Sequence, residues 1–584
     1  MPYRAPVADM LFTMTHAAGL EEGLYPDLGD GAAASILDEA AKMAEGVLAP
    51  LYRIGDREGA TFANGTVTTA TGWPDAYRRW TEGGWMGVTA PEAHGGMGLP
   101  HLLNAGCIEA WNGANMAFAL APLLSVGAIE ALVAHGSEDL RRIYLDRVVS
   151  GEWAATMNLT EPQAGSDLAA LRTRAERAPD GSYKITGQKI FITYGEHDLT
   201  PNILHLVLAR LPDAPAGTRG ISLFLVPKFL VREDGQRGAH NDLRCGGIEH
   251  KMGIHGSPTC TMIFGDDGGA TGYLIGEENR GLPCMFTMMN NARLSVGLQG
   301  VGVAERATQT AIAFASERRQ GRAPGASGEG MSPIVDHPDV RRMLLTMKAT
   351  TSAARAICYM TAQALDQAHR GTTPEARRAG LERAGLLTPV AKAYATDTAN
   401  EVASLGVQVH GGMGFIEETG AAQLMRDARI AGIYEGTNGI QAIDLVQRKL
   451  SLSGGAAFKA ELDSMREVIA RLQEQEDPRF GTMPRRLSEA VEALFEGSET
   501  LLEQLAEDPA VALAGATPYL RLFALARGGT ALASLAMAEN AESGTWLTQA
   551  RFFAENVACA APSLASTIAE GASCILAADA ALAV

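Results

Sequence analysis

One acidic residue, Glu435, lies in a sequence context in which its carboxylate could act as a general base. Glu435 follows Tyr434 and precedes Gly436, and either Thr437 or Asn438 can cap a helix predicted from Ile440 onward. A carboxylate beside a helix N-terminus is often only a favourable first-turn charge, and that interpretation stays open on the residues alone. The chemical interpretation is general-base catalysis, because a carboxylate removed from water becomes a better proton acceptor.

Two other segments hold residue types that can lie against a cofactor. Residues 157–167 form a strand that ends at Pro162 and a loop of small residues that follows it. Residues 187–193 form a strand whose end offers the ring of Phe191 and the hydroxyl of Thr193. Taken singly, the first segment is equally well an ordinary turn, and the ring is more often a core residue.

A further segment is a helix end that is unusually rich in glycine. A helix C-cap explains one or two glycines, but residues 405–415 contain three close together. Backbone without side chains can approach a phosphate or a ribose closely. The glycines are Gly411, Gly412 and Gly414.

The charge and composition of the chain narrow the class of protein. Its 584 residues include 49 Lys and Arg and 67 Asp and Glu, which gives a formal net charge of −18. This acidity argues against a nucleic-acid-binding protein, which needs a basic face. With 46% hydrophobic residues the chain is of globular type, and its length predicts roughly four structural units.

The sequence lacks the patterns of several common metal sites, catalytic motifs and targeting segments. The seven cysteines show no CxxC pair or zinc-ligand spacing, so we interpret them as reduced thiols of a cytoplasmic protein without a metal site. There is no Walker loop, HExxH or GxSxG motif, and no signal-peptide pattern. The most apolar run, 116–129, is shorter than the roughly 20 residues that span a bilayer, so a buried helix is predicted.

The elements that must position the candidate residues are helices on either side of a β domain. Periodicity is mostly helical over residues 33–153, typical of strands over 154–280, and helical again after Gly281. A Gly454–Gly455 break precedes about four amphipathic helices, which predict an extra acidic bundle. The predicted strands are 154–159, 183–193, 203–209, 221–226 and 259–264, and the clearest helices are 33–43, 132–149, 294–318, 340–370 and 374–409.

In order and spacing, these segments resemble the acyl-CoA dehydrogenase family of flavoproteins. The resemblance covers roughly residues 75–450 and includes Gly84–Gly87, Ala90–Gly96, Lys251–Gly253 and Arg293. It implies an α+β fold with an N-terminal α-helical domain, a central β-barrel-like domain and a C-terminal four-helix domain, followed by the extra helical bundle. The expected domain boundaries are 1–153, 154–280, 281–450 and 451–584.

The resemblance implies α,β-dehydrogenation of an acyl-CoA thioester with FAD as cofactor. Glu435 matches the family's catalytic base and would remove the α-proton, while the β-hydrogen leaves as hydride to N5 of the flavin. Some relatives carry the base on the helix after the β domain, directly before its arginine. Here that position is Ala292, before Arg293, which leaves Glu435 as the family-consistent base.

The family's ligand contacts map onto matching positions of this chain. Relatives usually carry Trp where Phe191 stands and Asp where Asn290 stands, and the Phe that usually follows Arg318 is missing. Arg318 is expected to reach the FAD pyrophosphate across a dimer interface. The implied FAD contacts are Met157, Leu159, Thr160, Ser166, Phe191, Thr193, Arg318, Gln408, Gly411, Gly412, Thr437 and Asn438, and the implied substrate contacts are Ser166, Asn290, Arg293 and Gly436.

Within the family, the chain's first residues, length and added bundle are most similar to a branch that acts in dimethylsulfoniopropionate degradation. That branch converts 3-(methylthio)propanoyl-CoA to methylthioacryloyl-CoA. The resemblance also implies electron-transferring flavoprotein as electron acceptor and a homodimer or dimer of dimers in the cytoplasm. The alternatives are a short- or medium-chain acyl-CoA dehydrogenase, an acyl-CoA oxidase, and a non-catalytic flavoprotein that binds nucleic acid, which the acidic bundle and intact Tyr434–Thr437 disfavour.

Overall fold

A computed structural model describes residues 2–20, 23–29, 31–232, 234–327, 329–539 and 544–583, with the side chains of Asp27 and Asn290 outside the description. The chain forms two compact units. We call Met1–Ala41, His101–Gly113 and Arg293–Val584 the helical unit, and Lys42–Pro100 and Ala114–Ala292 the mixed unit.

The first 150 residues are mostly helical, as the periodicity predicts. One short hairpin, β1 (Thr61–Ala63) with β2 (Thr66–Thr68), interrupts the helices and was not predicted, because two three-residue strands leave little periodic signal. The helices are α1 (Val7–His16), α2 (Ala32–Met43), α3 (Ala49–Glu58), α4 (Trp73–Glu82), α5 (His101–His135), α6 (Glu138–Leu140) and α7 (Asp146–Val149).

Helix α5 is the long apolar helix of this region. It has 35 residues and a non-helical break at Asn115. By length and composition alone it could cross a membrane, but 78% of its most apolar stretch is buried inside the protein. A core helix has this property, which agrees with the buried helix predicted for 116–129. The predicted helix 132–149 is wrong in one respect: α5 ends at His135, and Ser137 caps α6 through a hydrogen bond from the backbone N–H of Leu140, at 3.2 Å.

The β domain lies in the mixed unit and is built on one eight-stranded sheet. The strand order is β10-β11-β5-β12-β7-β6-β3, and β4 pairs with both β5 and β6. Strands β3 and β6 run parallel, while β5 pairs antiparallel with β4, β11 and β12. Its strands are β3 (Ala154–Asn158), β4 (Arg174–Arg177), β5 (Tyr183–Thr193), β6 (Ile203–Arg210), β7 (Ile221–Pro227), β10 (Leu243–Ile248), β11 (Thr259–Phe264) and β12 (Ala270–Ile275). Strands β8 (Phe229–Val231) and β9 (Arg237–His240) form a separate two-stranded sheet.

The five strands predicted from sequence all form, and five others were missed. Strands β6 and β7 are almost wholly buried, and their sequences are nearly continuous apolar runs. Such runs can be recognised as strands from sequence alone. By contrast, β4 is exposed at three of its four residues, and β9 contains no large apolar residue. Their strand state comes from pairing with neighbours rather than from their own pattern.

The helical unit contains long helices followed by the extra bundle. Helices α9 and α10 begin and end within two residues of the predicted bounds, whereas α8 begins earlier than predicted, at Gly281. In the described residues the bundle has five helices of ten or more residues, not about four. The helices are α8 (Gly281–Glu317), α9 (Pro338–Arg370), α10 (Pro374–His410), α11 (Ala421–Ala428), α12 (Asn438–Asp444), α13 (Ala456–Gln473), α14 (Met483–Glu507), α15 (Pro509–Ala514), α16 (Ala516–Ala538), α17 (Thr545–Asn556), α18 (Ala561–Glu570), α19 (Ala572–Leu576) and α20 (Asp579–Leu582).

The predicted fold class is confirmed: helices, then a β domain, then helices with an added bundle. In the bundle, the amphipathic character predicted for the helices is visible on α13, whose apolar stripe is buried: Phe458, Leu462, Met465, Ile469 and Leu472. The seven cysteines are free thiols, five of them buried, as predicted. The four domain boundaries stay a prediction.

Candidate active site

The turn that carries Glu435 has a backbone conformation that few sequences adopt. It connects α11 and the short 3-10 helix after it to α12. Glu435 has φ +56° and Gly436 has φ +87°, both in the left-handed region. The positive φ of Gly436 favours glycine there, and a Cβ atom would also lie 2.7 Å from Nε2 of Gln441. A strained non-glycine residue in such a turn indicates a functional position.

Side chains of α10, of α12 and of the turn itself hold this turn in place. The Gln441 amide of α12 donates to the carbonyl oxygen of Glu435 at 3.2 Å, and Lys392 Nζ of α10 donates to the carbonyl oxygen of Gly436 at 2.8 Å. The Thr437 hydroxyl accepts a hydrogen bond from the backbone N–H of Ile440 at 3.2 Å and so caps α12, as predicted for this position. The carbonyl groups of both left-handed residues, Glu435 and Gly436, are thereby fixed.

The electrostatic surroundings of Glu435 suit a base. Burial raises the pKa of Glu435 above its ordinary value, while the positive charges of Arg293 and Lys392 lower it. Arg293 is itself buried on α8 and lies 3.8 Å from Asp444. A desolvated carboxylate that two cations keep partly ionised can accept a proton near neutral pH.

The structure brings three of the sequence-predicted residues together within the helical unit. Glu435 and Gly436 are adjacent, and Nη2 of Arg293 lies 3.8 Å from the position of a Cβ on Gly436. Asn438 is also near, but its side chain faces α10, where it donates to Asp397 Oδ1 at 2.7 Å and accepts from Lys392 Nζ at 2.8 Å. If Asn438 contacts the cofactor, it does so through its backbone atoms, because its side-chain amide is bonded to Lys392 and Asp397.

A second group of predicted residues lies at the C-terminal ends of α8 and α10, in the same unit. Gln408 is exposed in the last turn of α10, and Gly411 follows with φ +59°. A Cβ on Gly411 or Gly412 would meet no atom within 4 Å, so this backbone is open to a ligand. Arg318 is exposed directly after the C-terminal end of α8. These four positions offer bare backbone, an amide and a guanidinium, which suit a nucleotide.

The third predicted group lies in the mixed unit, where the loop after β3 meets β5. The backbone N–H of Ile190 donates to the carbonyl oxygen of Thr160 at 2.9 Å, which places this loop beside the end of β5. Phe191 is 57% exposed and has φ +60°, an unusual state for an aromatic residue in a strand. Met157 is buried on β3, and Thr193 is half-buried next to the exposed ring.

For the remaining predicted ligand contacts, the structure gives only their position and exposure. Leu159 is half-buried in the same loop, and Ser166 is exposed beyond the turn at Glu161–Ala164. The side chain of Asn290 lies outside the part of the chain that the structure describes. Among the described residues, no group of three or more His, Cys, Asp or Glu side chains is arranged to hold a metal ion.

Several residues that shape these groups were missed from sequence. Lys392 and Gln441 hold the Glu435 turn, and a buried ion pair between Lys189 and Glu161, at 2.8 Å, holds the loop after β3. One signal was available for Lys392: it is a lone charge in the otherwise apolar stretch 386–395 of a helix. Buried lysines of this kind need a partner, so they indicate a polar contact.

Comparison with protein families gives matches over most of the chain. Family models described as the N-terminal, middle and C-terminal domains of acyl-CoA dehydrogenase match residues 32–152, 156–266 and 279–450. A fourth, described as "Acetyl-CoA dehydrogenase C-terminal like", matches residues 461–579 of the bundle.

Individual relatives and a solved structure agree with these matches. The chain is 46% identical over 551 residues to 3-methylmercaptopropionyl-CoA dehydrogenase of Ruegeria pomeroyi, covering 93% of this chain and 92% of the relative. It is 35% identical over 539 residues to a butyryl-CoA dehydrogenase of Syntrophomonas wolfei, covering 90% and 88%. A crystal structure of acyl-CoA dehydrogenase with FAD from Bacillus anthracis matches with a TM-score of 0.75 and 22% identity, over 94% of this chain and 89% of that one.

Proposed function

The chain belongs to the acyl-CoA dehydrogenase family of FAD-dependent enzymes, and from this membership we propose that it oxidises 3-(methylthio)propanoyl-CoA to methylthioacryloyl-CoA in dimethylsulfoniopropionate degradation. The reaction class follows from the family. The substrate is supported by the 46% identity to the Ruegeria pomeroyi enzyme along nearly the whole chain, including the bundle.

The observation that carries the mechanism is the fixed, left-handed turn of Glu435. We infer that its carboxylate takes the α-proton of the thioester, because burial raises its pKa and so makes it more basic, while two nearby cations favour its ionised form. Negative charge then develops on the thioester oxygen. The backbone N–H of Glu435 is the donor that the family resemblance assigns to this oxygen, and the hydrogen bonds to the carbonyl groups of Glu435 and Gly436 fix the two peptide units that follow it.

The exposed groups fit FAD in two places. The ring of Phe191, with Thr193 and the loop Met157–Thr160, offers a flat surface and polar atoms to the isoalloxazine, and Ser166 lies in the continuation of that loop. Gln408, Gly411, Gly412 and Arg318 offer open backbone and a cation to the nucleotide part. When bound, FAD supplies the acceptor for the β-hydrogen. Arg293 and Gly436 bind the acyl-CoA beside the base.

The first experiment is an anaerobic titration of the purified, FAD-loaded protein, followed through its flavin absorption. We expect 3-(methylthio)propanoyl-CoA to bleach the flavin band faster than butanoyl-CoA or octanoyl-CoA does. Faster bleaching by the other thioesters would keep the enzyme class and reject the substrate. A protein that takes up no flavin would contradict the whole proposal.

Glu435→Gln tests the base directly. The amide has the same shape but cannot accept the proton, so bound FAD is retained while turnover falls by about 100- to 10,000-fold. Spectra of the bound flavin and steady-state rates measure the two quantities separately. Near-normal turnover in this variant would reject Glu435 as the base.

The remaining parts of the proposal concern acceptor, assembly and location. We propose electron-transferring flavoprotein as acceptor, a homodimer or dimer of dimers, and the cytoplasm. Oxygen uptake with formation of peroxide, at the rate of turnover, would favour an acyl-CoA oxidase instead. Salt-sensitive retention of DNA in a gel shift would favour the non-catalytic flavoprotein, which the net charge of −18 opposes.

A further inference from the structure

A lysine that the sequence analysis did not assign to the site is buried beside the proposed base. Lys392 of α10 has no exposed surface, although an ammonium group is costly to remove from water. It makes two hydrogen bonds of 2.8 Å, one to the carbonyl oxygen of Gly436 and one to Oδ1 of Asn438. Both partners follow Glu435 within three residues, so the ammonium group is directed at the turn.

The connection from Lys392 to the turn is reinforced from α10. The Asn438 amide that accepts from Lys392 also donates to Asp397 Oδ1 at 2.7 Å and to Thr396 Oγ1 at 3.0 Å. These bonds orient the amide so that its oxygen faces the ammonium group. One face of α10 therefore holds both the carbonyl of Gly436 and the first residue of α12.

The charge of Lys392 acts on Glu435 as well. Burial lowers the pKa of Lys392 to about 8, while the carboxylates of Glu435 and Asp397 favour its charged form. Arg293, the other cation near Glu435, is engaged with Asp444 and lies on α8. The charged and titratable groups around the pair of Glu435 and Lys392 are Arg293, Asp397, Tyr434, Asp444 and Arg448.

We propose that Lys392 is a positioning residue for the proton abstraction assigned to Glu435: its ammonium group keeps the turn in its left-handed state and directs the carboxylate. This inference rests on the proposed function. Without the ammonium group, the carbonyl of Gly436 loses its hydrogen-bond donor, and the strained conformation at Glu435 loses its support. Glu435 also loses a nearby positive charge, which makes its carboxylate harder to ionise.

The test is Lys392→Gln in the FAD-loaded enzyme. Glutamine keeps a hydrogen-bond donor and removes the charge. We expect FAD to stay bound and kcat at pH 7 to fall 10- to 100-fold. The rise of kcat with pH should move to higher pH by about one unit or more, because loss of a cation raises the pKa of a carboxylate. Activity relative to the wild type should therefore recover in part at high pH.

The matched control is Lys459→Gln, which removes the same charge from an exposed position of α13. It should leave the pH profile where it is. If Lys392→Gln lowers kcat without moving the profile, or changes neither, the positioning role is wrong.

A second variant covers the case in which Lys392→Gln does not fold. Asn438→Asp removes the amide hydrogens that Asp397 and Thr396 accept and places a carboxylate beside Asp397 and Lys392. The two carboxylates then draw the ammonium charge away from Glu435. The same upward movement of the pH profile is expected, and an unmoved profile overturns the inference.

Glu435→Gln is measured in parallel to separate the role of Glu435 as base from the role of Lys392. If that variant turns over normally, the proposed base and the inference both fail. If it is inactive while both Lys392→Gln and Asn438→Asp keep the wild-type profile, only the role of Lys392 fails.

Discussion

Glu435 occupies a backbone conformation that costs about 1–3 kcal/mol for a residue with a side chain. The surrounding hydrogen bonds from Gln441 and Lys392 offset this cost. A base on a relaxed loop would sample many directions, whereas a base on an over-determined turn presents its carboxylate in one. At the scale of single residues, the strained backbone at Glu435 supports its proposed role as the base.

A second glutamate, which is half-buried, lies in surroundings that favour its neutral form. Glu130 of α5 accepts a hydrogen bond from Asn291 of α8, both within the mixed unit. Burial raises the pKa of Glu130 to about 8, while this hydrogen bond opposes the rise. The group therefore binds a proton on folding between about pH 4.5 and pH 8, because its unfolded pKa is the ordinary one.

The stability of the protein should depend on pH through Glu130. Since the folded pKa is the higher one, ionisation favours the unfolded chain, and this penalty grows as the pH rises from about 4.5 to about 8. Glu130→Gln stays neutral, so it should be more stable than the wild type by on the order of 1–3 kcal/mol at pH 8 and by little at pH 4.5. Urea unfolding of both proteins at both pH values measures this difference in the free energy of unfolding. Equal differences at the two pH values would show that Glu130 is not protonated in the fold.

At the scale of elements, the loop after β3 depends on a buried ion pair. Glu161 is 3% exposed and accepts hydrogen bonds from Lys189 of β5 and from the backbone N–H groups of Arg172 and Thr173. Burial raises the pKa of Glu161, but Lys189 and the hydrogen bonds lower it more, to about 2. The pair thereby fixes the loop that carries Met157–Thr160 against the strand that carries Phe191.

Lys189→Met should destabilise the mixed unit by about 3–5 kcal/mol, because it leaves the Glu161 carboxylate buried without its cation. FAD affinity should fall with it, since the loop loses its anchor on β5. Thermal unfolding and flavin release measure the two effects. The double variant with Glu161→Gln should recover part of the loss, and Lys184→Met, exposed on the same strand, should change neither quantity. Full stability in the single variant would contradict this account of the loop.

At the scale of the molecule, the extra bundle is joined to the family's four-helix domain through buried charge. Glu461 of α13 lies 2.8 Å from Arg527 of α16 and 2.8 Å from Arg383 of α10. Gly528 of α16 packs against Ala353 of α9, where a Cβ would lie only 3.0 Å from the alanine methyl. Close packing and an ion triad together make the bundle part of one folded unit.

Glu461→Ala should therefore destabilise the helical unit as a whole. Removing the shared anion leaves two cations near each other, one of them buried, at a cost of about 3–5 kcal/mol. Denaturant unfolding followed by far-UV circular dichroism measures the loss. The matched control is Glu492→Ala, whose partner Arg466 is exposed, and which should cost less than about 1 kcal/mol. Equal effects of the two variants would mean that the triad does not hold the bundle.

The sequence by itself determined the elements whose pattern is local. Strands Tyr183–Thr193 and Thr259–Phe264 and helix Pro374–His410 lie within one residue of prediction, because alternation, helical periodicity and turn residues act over a few positions. The candidate base, Glu435, was likewise recognisable, since the motif around it is contiguous. What a short stretch of residues encodes can be predicted from that stretch.

Only the tertiary structure decided which distant groups meet. Lys392 reaches Gly436 across 44 positions, Lys189 reaches Glu161 across 28, and Asn291 reaches Glu130 across 161. None of these pairs leaves a periodic trace, because a hydrogen bond between distant residues depends on how whole elements pack. The left-handed state of Glu435 belongs here too: nothing in the residue favours it, and the contacts from α10 and α12 stabilise it.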